Sequence, residues 1–196
     1  VTEWIARLVS VLFSLGSIVL VYFITIRYYS RFVGLLAAFL MAILPYNVYF
    51  SRVILPEPSL IFFCLATMLF VDRWIWQGKK SDMVISLVMG IAAFLTKPMA
   101  VFYLLPLLVS YRQRYGKWWP VPIKYWIWAV IVVTPLLAWR IWIQQYPEGI
   151  PASNWLYNGN GIRLKPSWWH WLFEVRLGQQ ILTIFGWTLL IFGVIA

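Results

Sequence analysis

Residues 83–111, MVISLVMGIAAFLTKPMAVFYLLPLLVSY, decide how many times the chain crosses a membrane. Lys97 is the only charged residue in this stretch, and Pro98 follows it. Proline lacks a backbone N–H and disfavours the helical conformation of the residue before it, so the pattern predicts a break at this position. The stretch is therefore either one kinked crossing or two short crossings, 83–96 and 98–111.

Basic residues on both sides of this stretch favour two crossings. Lys79 and Lys80 precede it, and Arg112 and Arg114 follow it. Cytoplasmic loops of membrane proteins carry an excess of Lys and Arg, so both flanks are predicted to be cytoplasmic. The chain then leaves and returns in two segments of about 20 Å each, which implies local thinning of the bilayer or burial among other helices. Lys97 is predicted to lie near the outer end.

Composition excludes several classes of protein. Of the 196 residues, 63% are hydrophobic and only 11% are charged, too few to cover a water-soluble domain. The net charge of +10 comes from short basic clusters between apolar stretches. Such clusters are typical of the cytoplasmic loops of membrane proteins, so no nucleic-acid partner is expected. Cys64 is the only cysteine, which excludes disulfides and cysteine-based metal sites within this chain and indicates a packing residue.

The apolar stretches predict an all-α fold, a polytopic transmembrane helix bundle with about seven spans, two of them short, and one longer outer loop. The predicted spans are 4–26, 32–50, 54–76, 83–96, 98–111, 124–143 and 179–196. Residue 1 is Val and the chain ends inside an apolar run, so residues 1–196 are expected to be one transmembrane domain that is truncated at both ends.

Counting crossings from the basic loops places two connections on the outer side. One is the short segment 52–58, and the other is the polar, turn-rich loop 144–178. Within this loop, Ser-Trp-Trp-His-Trp at 167–171 predicts an aromatic helix at the membrane interface. His170 is interpreted as an interfacial side chain rather than a metal ligand.

Arg52 and Glu57 form the first candidate site, in the connection between the second and third predicted spans. Charged groups near the hydrocarbon region are costly unless they are paired or hydrated. Pro56 and Pro58 surround Glu57 and favour a fixed turn that presents the carboxylate. The alternative is a surface pair at the membrane boundary with no chemical role.

Lys97 and Arg7 are further cations predicted on the same side. Lys97 either extends to the interface or binds an anionic headgroup or phosphate. Arg7 is preceded by Glu3, and an i, i+4 ion pair is the preferred interpretation of these two residues. Asp72 and Arg73 are interpreted as a boundary pair at the inner end of the third span.

Signatures of soluble enzymes are absent from the sequence, which holds no phosphate-binding glycine loop, no HExxH and a single His. Catalysis would have to depend on carboxylates and cations. No metal ligands and no certain cofactor are predicted, although a divalent metal ion is left open.

The order of several short motifs resembles the C-type glycosyltransferases, in the branch of protein O-mannosyltransferases and the bacterial transferase that adds aminoarabinose to lipid A. The resemblance covers about residues 1–111. The matching motifs are Trp4-Ile-Ala-Arg7-Leu-Val-Ser, Arg27-Tyr-Tyr-Ser-Arg31, Pro45-Tyr-Asn-Val-Tyr-Phe-Ser-Arg52 followed by Ile54-Leu-Pro-Glu57-Pro, and Gly90-Ile-Ala-Ala-Phe-Leu-Thr-Lys97-Pro.

This resemblance implies transfer of a hexosyl or pentosyl group from a polyprenyl-phosphate-sugar lipid to an acceptor protein, lipid or glycan. The reaction would take place on the outer face of a multi-pass protein, surrounded by membrane lipids, in a bacterial inner membrane. Glu57 stands where many relatives carry a second acidic residue, often Asp, and is the candidate catalytic residue. Lys97 matches a lysine near the carrier lipid, and with Arg52 and Arg7 it makes up the candidate phosphate-binding set. In the family the usual catalytic base would lie before residue 1, so the fragment itself is expected to be inactive.

Two other classes of function remain open at the level of sequence. A transporter or flippase of lipid-linked substrates would also need cations near the outer surface and short, broken helices. A non-catalytic membrane subunit would use Arg52, Glu57 and Lys97 only to anchor helix ends.

Overall fold

The computed structural model describes residues 2–118, 120–146 and 159–195, and the regular elements in these ranges are all helices. The chain divides into two compact units, 1–142 and 143–196. The all-α prediction is confirmed. In chain order the elements of the first unit are α1 (Thr2–Thr25), α2 (Arg31–Ile43), α3 (Pro45–Arg52), α4 (Glu57–Gln77), α5 (Lys80–Thr96), a 3-10 helix (Pro98–Leu104), α6 (Leu105–Tyr115) and α7 (Ile123–Ile143).

Helix α4 is the centre of the first unit, where it packs against α1, α5 and α6. Its buried residues include Ala66, Val71 and Trp74. Cys64 is only 2% exposed, so its predicted role as a packing residue is confirmed. Helix α1 by contrast exposes much of its apolar surface, as expected of a helix that borders lipid on one side.

Two X-Pro steps interrupt the helices. Leu44, before Pro45, has an extended ψ of 124°, and α2 and α3 meet there at a bend of 59°. The predicted span 32–50 therefore consists of two helices with a bend between them, because proline disfavours a helical conformation of Leu44. Whether the bent pair crosses the membrane as one span stays a prediction. Lys97, before Pro98, is also extended, with φ −153° and ψ 136°. The predicted break at Lys97 is confirmed, but the return segment is a 3-10 helix followed by α6 rather than one helix over 98–111.

Long-range contacts show the direction in which the helices run. Lys97, after α5, pairs with Glu57 at the start of α4. Ser110, in α6, donates a hydrogen bond to Asp72 near the end of α4. The segments on either side of Lys97 therefore run in opposite directions, as the basic flanks predicted. We call the two ends of the first unit the Glu57 end (Arg7, Arg52, Glu57 and Lys97) and the Asp72 end (Arg27, Asp72, Asp82 and Ser110).

Among the described residues, three helices are long and apolar enough to cross a membrane, or four if α2 and α3 form one bent span. The three are Glu3–Thr25, Glu57–Gln77 and Ile123–Ile143. The total of about seven depends on shorter helices as well, and it stays a prediction, as does the side of the membrane on which each end lies.

The second unit contains a 3-10 helix (Gly159–Leu164), α8 (Pro166–His170), a π-helix (Trp171–Leu182) and α9 (Thr183–Ile195). The helix expected at 167–171 is present, but helical structure also covers most of 159–178, where a turn-rich loop was predicted. The predicted span 179–196 is a π-helix up to Leu182 and an α-helix after it. The first part of the predicted outer loop, 147–158, lies outside the described residues.

Candidate functional site

Glu57 and Lys97 form an ion pair between Oε1 and Nζ at the Glu57 end. Glu57 is the first residue of α4, and Lys97 is the extended residue that follows α5. The start of α4 and the end of α5 therefore meet, and this brings together two residues that are 40 positions apart. Their side chains are 29% and 37% exposed, respectively, so the pair is open to a ligand on one side. Lys97 thus pairs with a carboxylate, a partner that the sequence interpretation did not assign to it.

The second carboxylate oxygen of Glu57, Oε2, is buried and has no hydrogen-bond partner among the described residues. A buried acceptor without a donor costs free energy, on the order of 1–3 kcal/mol. Such orphaned groups are rare in folded proteins.

Arg7 connects two helices at the same end. Its guanidinium pairs with Glu3 at 2.7 Å, which confirms the predicted i, i+4 pair. Its Nη1 donates a hydrogen bond of 3.0 Å to the backbone carbonyl of Arg52. Arg7 therefore ties the start of α1 to the last residue of α3, and this positions Arg52.

The Arg52 side chain is exposed and makes no hydrogen bond or ion pair with any residue that the structure describes. It lines an open depression of about 570 Å³ together with Arg7, Tyr49 and Pro45. Arginine presents a planar fork of N–H donors that matches phosphate geometry. Of the three predicted phosphate-binding cations, Lys97 and Arg7 already have acidic partners, so Arg52 is the one available to an anion.

The pair predicted between Asp72 and Arg73 is wrong. Asp72 does not pair with Arg73; it accepts hydrogen bonds from Arg27, Tyr28 and Ser110. Arg73 pairs instead with Asp82 at 3.1 Å. Consecutive residues of a helix point in different directions, so Asp72 and Arg73 cannot face each other.

Tyr28 lies in the connection between α1 and α2, outside the membrane-spanning helices. Burial and the hydrogen bond to Asp72 raise the pKa of Tyr28 to about 12. The hydroxyl therefore stays protonated at neutral pH and acts as a donor to the carboxylate. A signal for this network was present in the sequence, since an acid inside an apolar span needs a partner from another helix.

The second unit holds the remaining candidates. His170 Nδ1 lies 2.8 Å from Glu174 Oε2, and the Arg176 guanidinium lies 5.0 Å from the centre of the Trp171 ring. Trp155 and Glu148, an aromatic and an acidic residue of the predicted outer loop 144–178, lie outside the described residues. Among the residues that the structure describes, no group of three or more His, Cys, Asp or Glu side chains is arranged to hold a metal ion.

Comparisons with known proteins agree with this architecture. A family model described as dolichyl-phosphate-mannose-protein mannosyltransferase matches residues 1–142, the same range as the first compact unit. No curated protein and no solved structure matches the chain. Because the family match covers well over half of the sequence, the chain belongs to the dolichyl-phosphate-mannose-protein mannosyltransferase family, whose members are integral membrane glycosyltransferases.

Proposed function

We propose that this protein transfers a sugar from a polyprenyl-phosphate donor to an acceptor hydroxyl, and that the reaction takes place at the Glu57 end. The observation that carries the proposal is the partly exposed Glu57–Lys97 ion pair, whose side chains are 29% and 37% exposed, respectively. Family membership supports glycosyl transfer as the reaction class. The outer face of the membrane, a bacterial inner membrane and a protein, lipid or glycan acceptor are parts of the same proposal.

In this proposal the donor phosphate binds Arg52, which is exposed and without an acidic partner among the described residues. Arg7 holds the Arg52 backbone and adds positive charge to the same depression. As the bond between the sugar and the phosphate breaks, negative charge accumulates on the phosphate. Cations near the leaving group therefore stabilise the transition state more than the ground state.

Glu57 is proposed to accept the proton of the acceptor hydroxyl. The acceptor oxygen attacks the anomeric carbon, the carbon–phosphate oxygen bond breaks, and the phosphate leaves with the electron pair. The Glu57 side chain is 29% exposed beside Lys97, so its carboxylate is accessible to an acceptor hydroxyl. General base catalysis of this kind contributes a factor of about 10²–10⁴.

The test uses the complete protein in membranes of source cells that lack their own copy, because these membranes supply the acceptor. Radiolabelled mannose on dolichyl phosphate or undecaprenyl phosphate serves as the donor, and incorporated label is counted. Glu57→Gln keeps the size of the side chain but removes the base, so we expect transfer to fall about 100-fold or more. Glu3→Gln is the matched control, since it makes the same change in an exposed carboxylate at the same end.

Glu3→Gln is expected to keep transfer within about twofold, because exposed ion pairs contribute little. Normal transfer by folded Glu57→Gln protein would contradict the role of Glu57. No transfer from either donor by the unmodified protein would contradict the proposed donor. Movement of the donor across the membrane without transfer would support a transporter instead.

A further inference from the structure

The Asp72 end carries an open groove that the transferase proposal does not use. The groove has a volume of about 660 Å³ and lies over α4, between α1 and the segment 105–113. Its apolar lining includes Ile24, Met68, Leu107 and Val109. Its polar lining, which we call its mouth, includes Arg27, Asp72 and Gln113, so the groove combines an apolar part with a polar part.

A second opening of about 440 Å³ continues from the mouth of this groove. It shares Arg27 and Gln113 with the groove and adds Trp76. The guanidinium of Arg114 lies 5.4 Å from the centre of the Trp76 ring. Arg114 is therefore held against Trp76, which lines this second opening.

The carboxylates of this end among the described residues are already neutralised. Asp72 is paired with Arg27, and Asp82 with Arg73. Arg27 uses Nε for Asp72, while neither of its terminal Nη atoms is hydrogen-bonded to a described residue. The helix ends and connections at this end carry seven further cations, more than the two paired carboxylates: Arg31, Lys79, Lys80, Arg112, Arg114, Lys117 and Lys124.

Aromatic rings flank these cations at the same end. Arg112 lies 4.7 Å from the centre of the Trp118 ring, and Lys124 lies 4.9 Å from that of Tyr125. Trp and Tyr prefer the level of the lipid headgroups, and basic residues beside them attract anionic lipid. The apolar lining of the groove matches an acyl chain of a phospholipid, and the nearby cations match an anionic headgroup.

We infer that this groove binds one anionic phospholipid, with an acyl chain over α4 and the headgroup phosphate between Arg27 and Arg114. The site is separate from the Glu57 end and does not depend on the proposed transfer reaction. An anionic lipid is favoured over a zwitterionic one because Asp72, the one carboxylate among the described residues that line the groove, is already paired with Arg27 and is not available to a headgroup amine.

The complete protein is first delipidated and then incubated with vesicles that contain phosphatidylglycerol and phosphatidylcholine. Native mass spectrometry then identifies and counts the lipid molecules that the protein retains. We expect the unmodified protein to retain one phosphatidylglycerol in preference to phosphatidylcholine. Arg114→Gln should lower this preference about fivefold, since one cation near anionic lipid contributes about that much. Lys79→Gln, which removes the same charge at the same end but away from the groove, should leave it unchanged.

Val109→Trp tests the acyl-chain part without changing charge, because Val109 lines the groove. Retention of either lipid should fall, and Leu105→Trp in the same groove provides a second variant if the first does not fold. Soluble glycerol 3-phosphate, which lacks acyl chains, should not displace the lipid. Equal retention of both lipids, equal effects of Arg114→Gln and Lys79→Gln, or displacement by glycerol 3-phosphate would each overturn the inference.

Discussion

At the Asp72 end the carboxylates are buried and paired, whereas at the Glu57 end the charged groups remain partly exposed. The side chains of Asp72 and Asp82 are only 7% and 2% exposed, and each has an arginine partner from another helix or turn. Glu57 and Lys97 are several times more exposed, and Arg52 has no acidic partner among the described residues. Charges that are buried and paired between helices hold the helices together, while charges that are exposed are available to a substrate.

The largest expected effect on stability follows from removal of the Asp72 carboxylate. Asp72→Ala leaves Arg27 without its partner and removes the acceptor of Tyr28 and Ser110. Breaking a buried ion pair by deleting one partner costs about 3–5 kcal/mol. The purified complete protein is heated to a series of temperatures, and the fraction that remains folded is measured by size-exclusion chromatography. The unfolding midpoint of Asp72→Ala should be lower than that of the unmodified protein. An unchanged unfolding midpoint would mean that the network does not hold α1, α4 and α6 together.

A smaller loss is expected for Asp82. This carboxylate pairs with Arg73 through Oδ1, but its Oδ2 has no hydrogen-bond partner among the described residues. Asp82→Asn keeps the shape of the side chain and removes the charge, so the cost should be about 1–3 kcal/mol. The same unfolding measurement checks the value, and a loss larger than that of Asp72→Ala would reverse the order proposed for these two acids.

Lys97→Gln should have a still smaller effect on stability. Exposed ion pairs contribute about 0–1 kcal/mol, and the Glu57–Lys97 pair is only partly buried. Transfer of sugar should nevertheless fall, because the Glu57 carboxylate loses the cation that orients it. A variant that unfolds as readily as Asp72→Ala would show that Lys97 is mainly a structural anchor.

The smallest effect is predicted for Lys80→Gln, at the first residue of α5. Lys80 is exposed, and surface substitutions of this kind usually change stability by less than about 0.5 kcal/mol. Both unfolding and transfer should match the unmodified protein. A clear loss of either would show that a basic flank has a specific role beyond topology.

Sequence reasoning was most successful where the cause is local. The break at Lys97 follows from the proline after it, and the Arg7–Glu3 pair follows from helical spacing. The opposite directions of α5 and α6 were predictable because basic clusters mark both flanks of residues 83–111. The first two features depend on residues within four positions of each other. The third depends only on the number of times that the chain crosses the membrane between two basic clusters.

Features that depend on the packing of distant helices were not predictable. The partners of Asp72 come from α6 and from the turn after α1, up to 45 positions away. The pairing of Lys97 with Glu57 requires that the ends of α4 and α5 meet, which no local pattern encodes. The 59° bend at Leu44 likewise depends on tertiary contacts as well as on Pro45, since proline predicts a break but not its angle.

Exchange of the Glu57 and Lys97 charges separates a catalytic role of Glu57 from a structural one. The double variant Glu57→Lys with Lys97→Glu keeps an ion pair but moves the carboxylate to the other side chain. We expect the complete protein to fold with nearly unchanged thermal stability and to transfer sugar about 100-fold more slowly, because the carboxylate is no longer at position 57. Transfer at the normal rate by this double variant would show that Glu57 is not the base and that the pair only joins α4 to the end of α5.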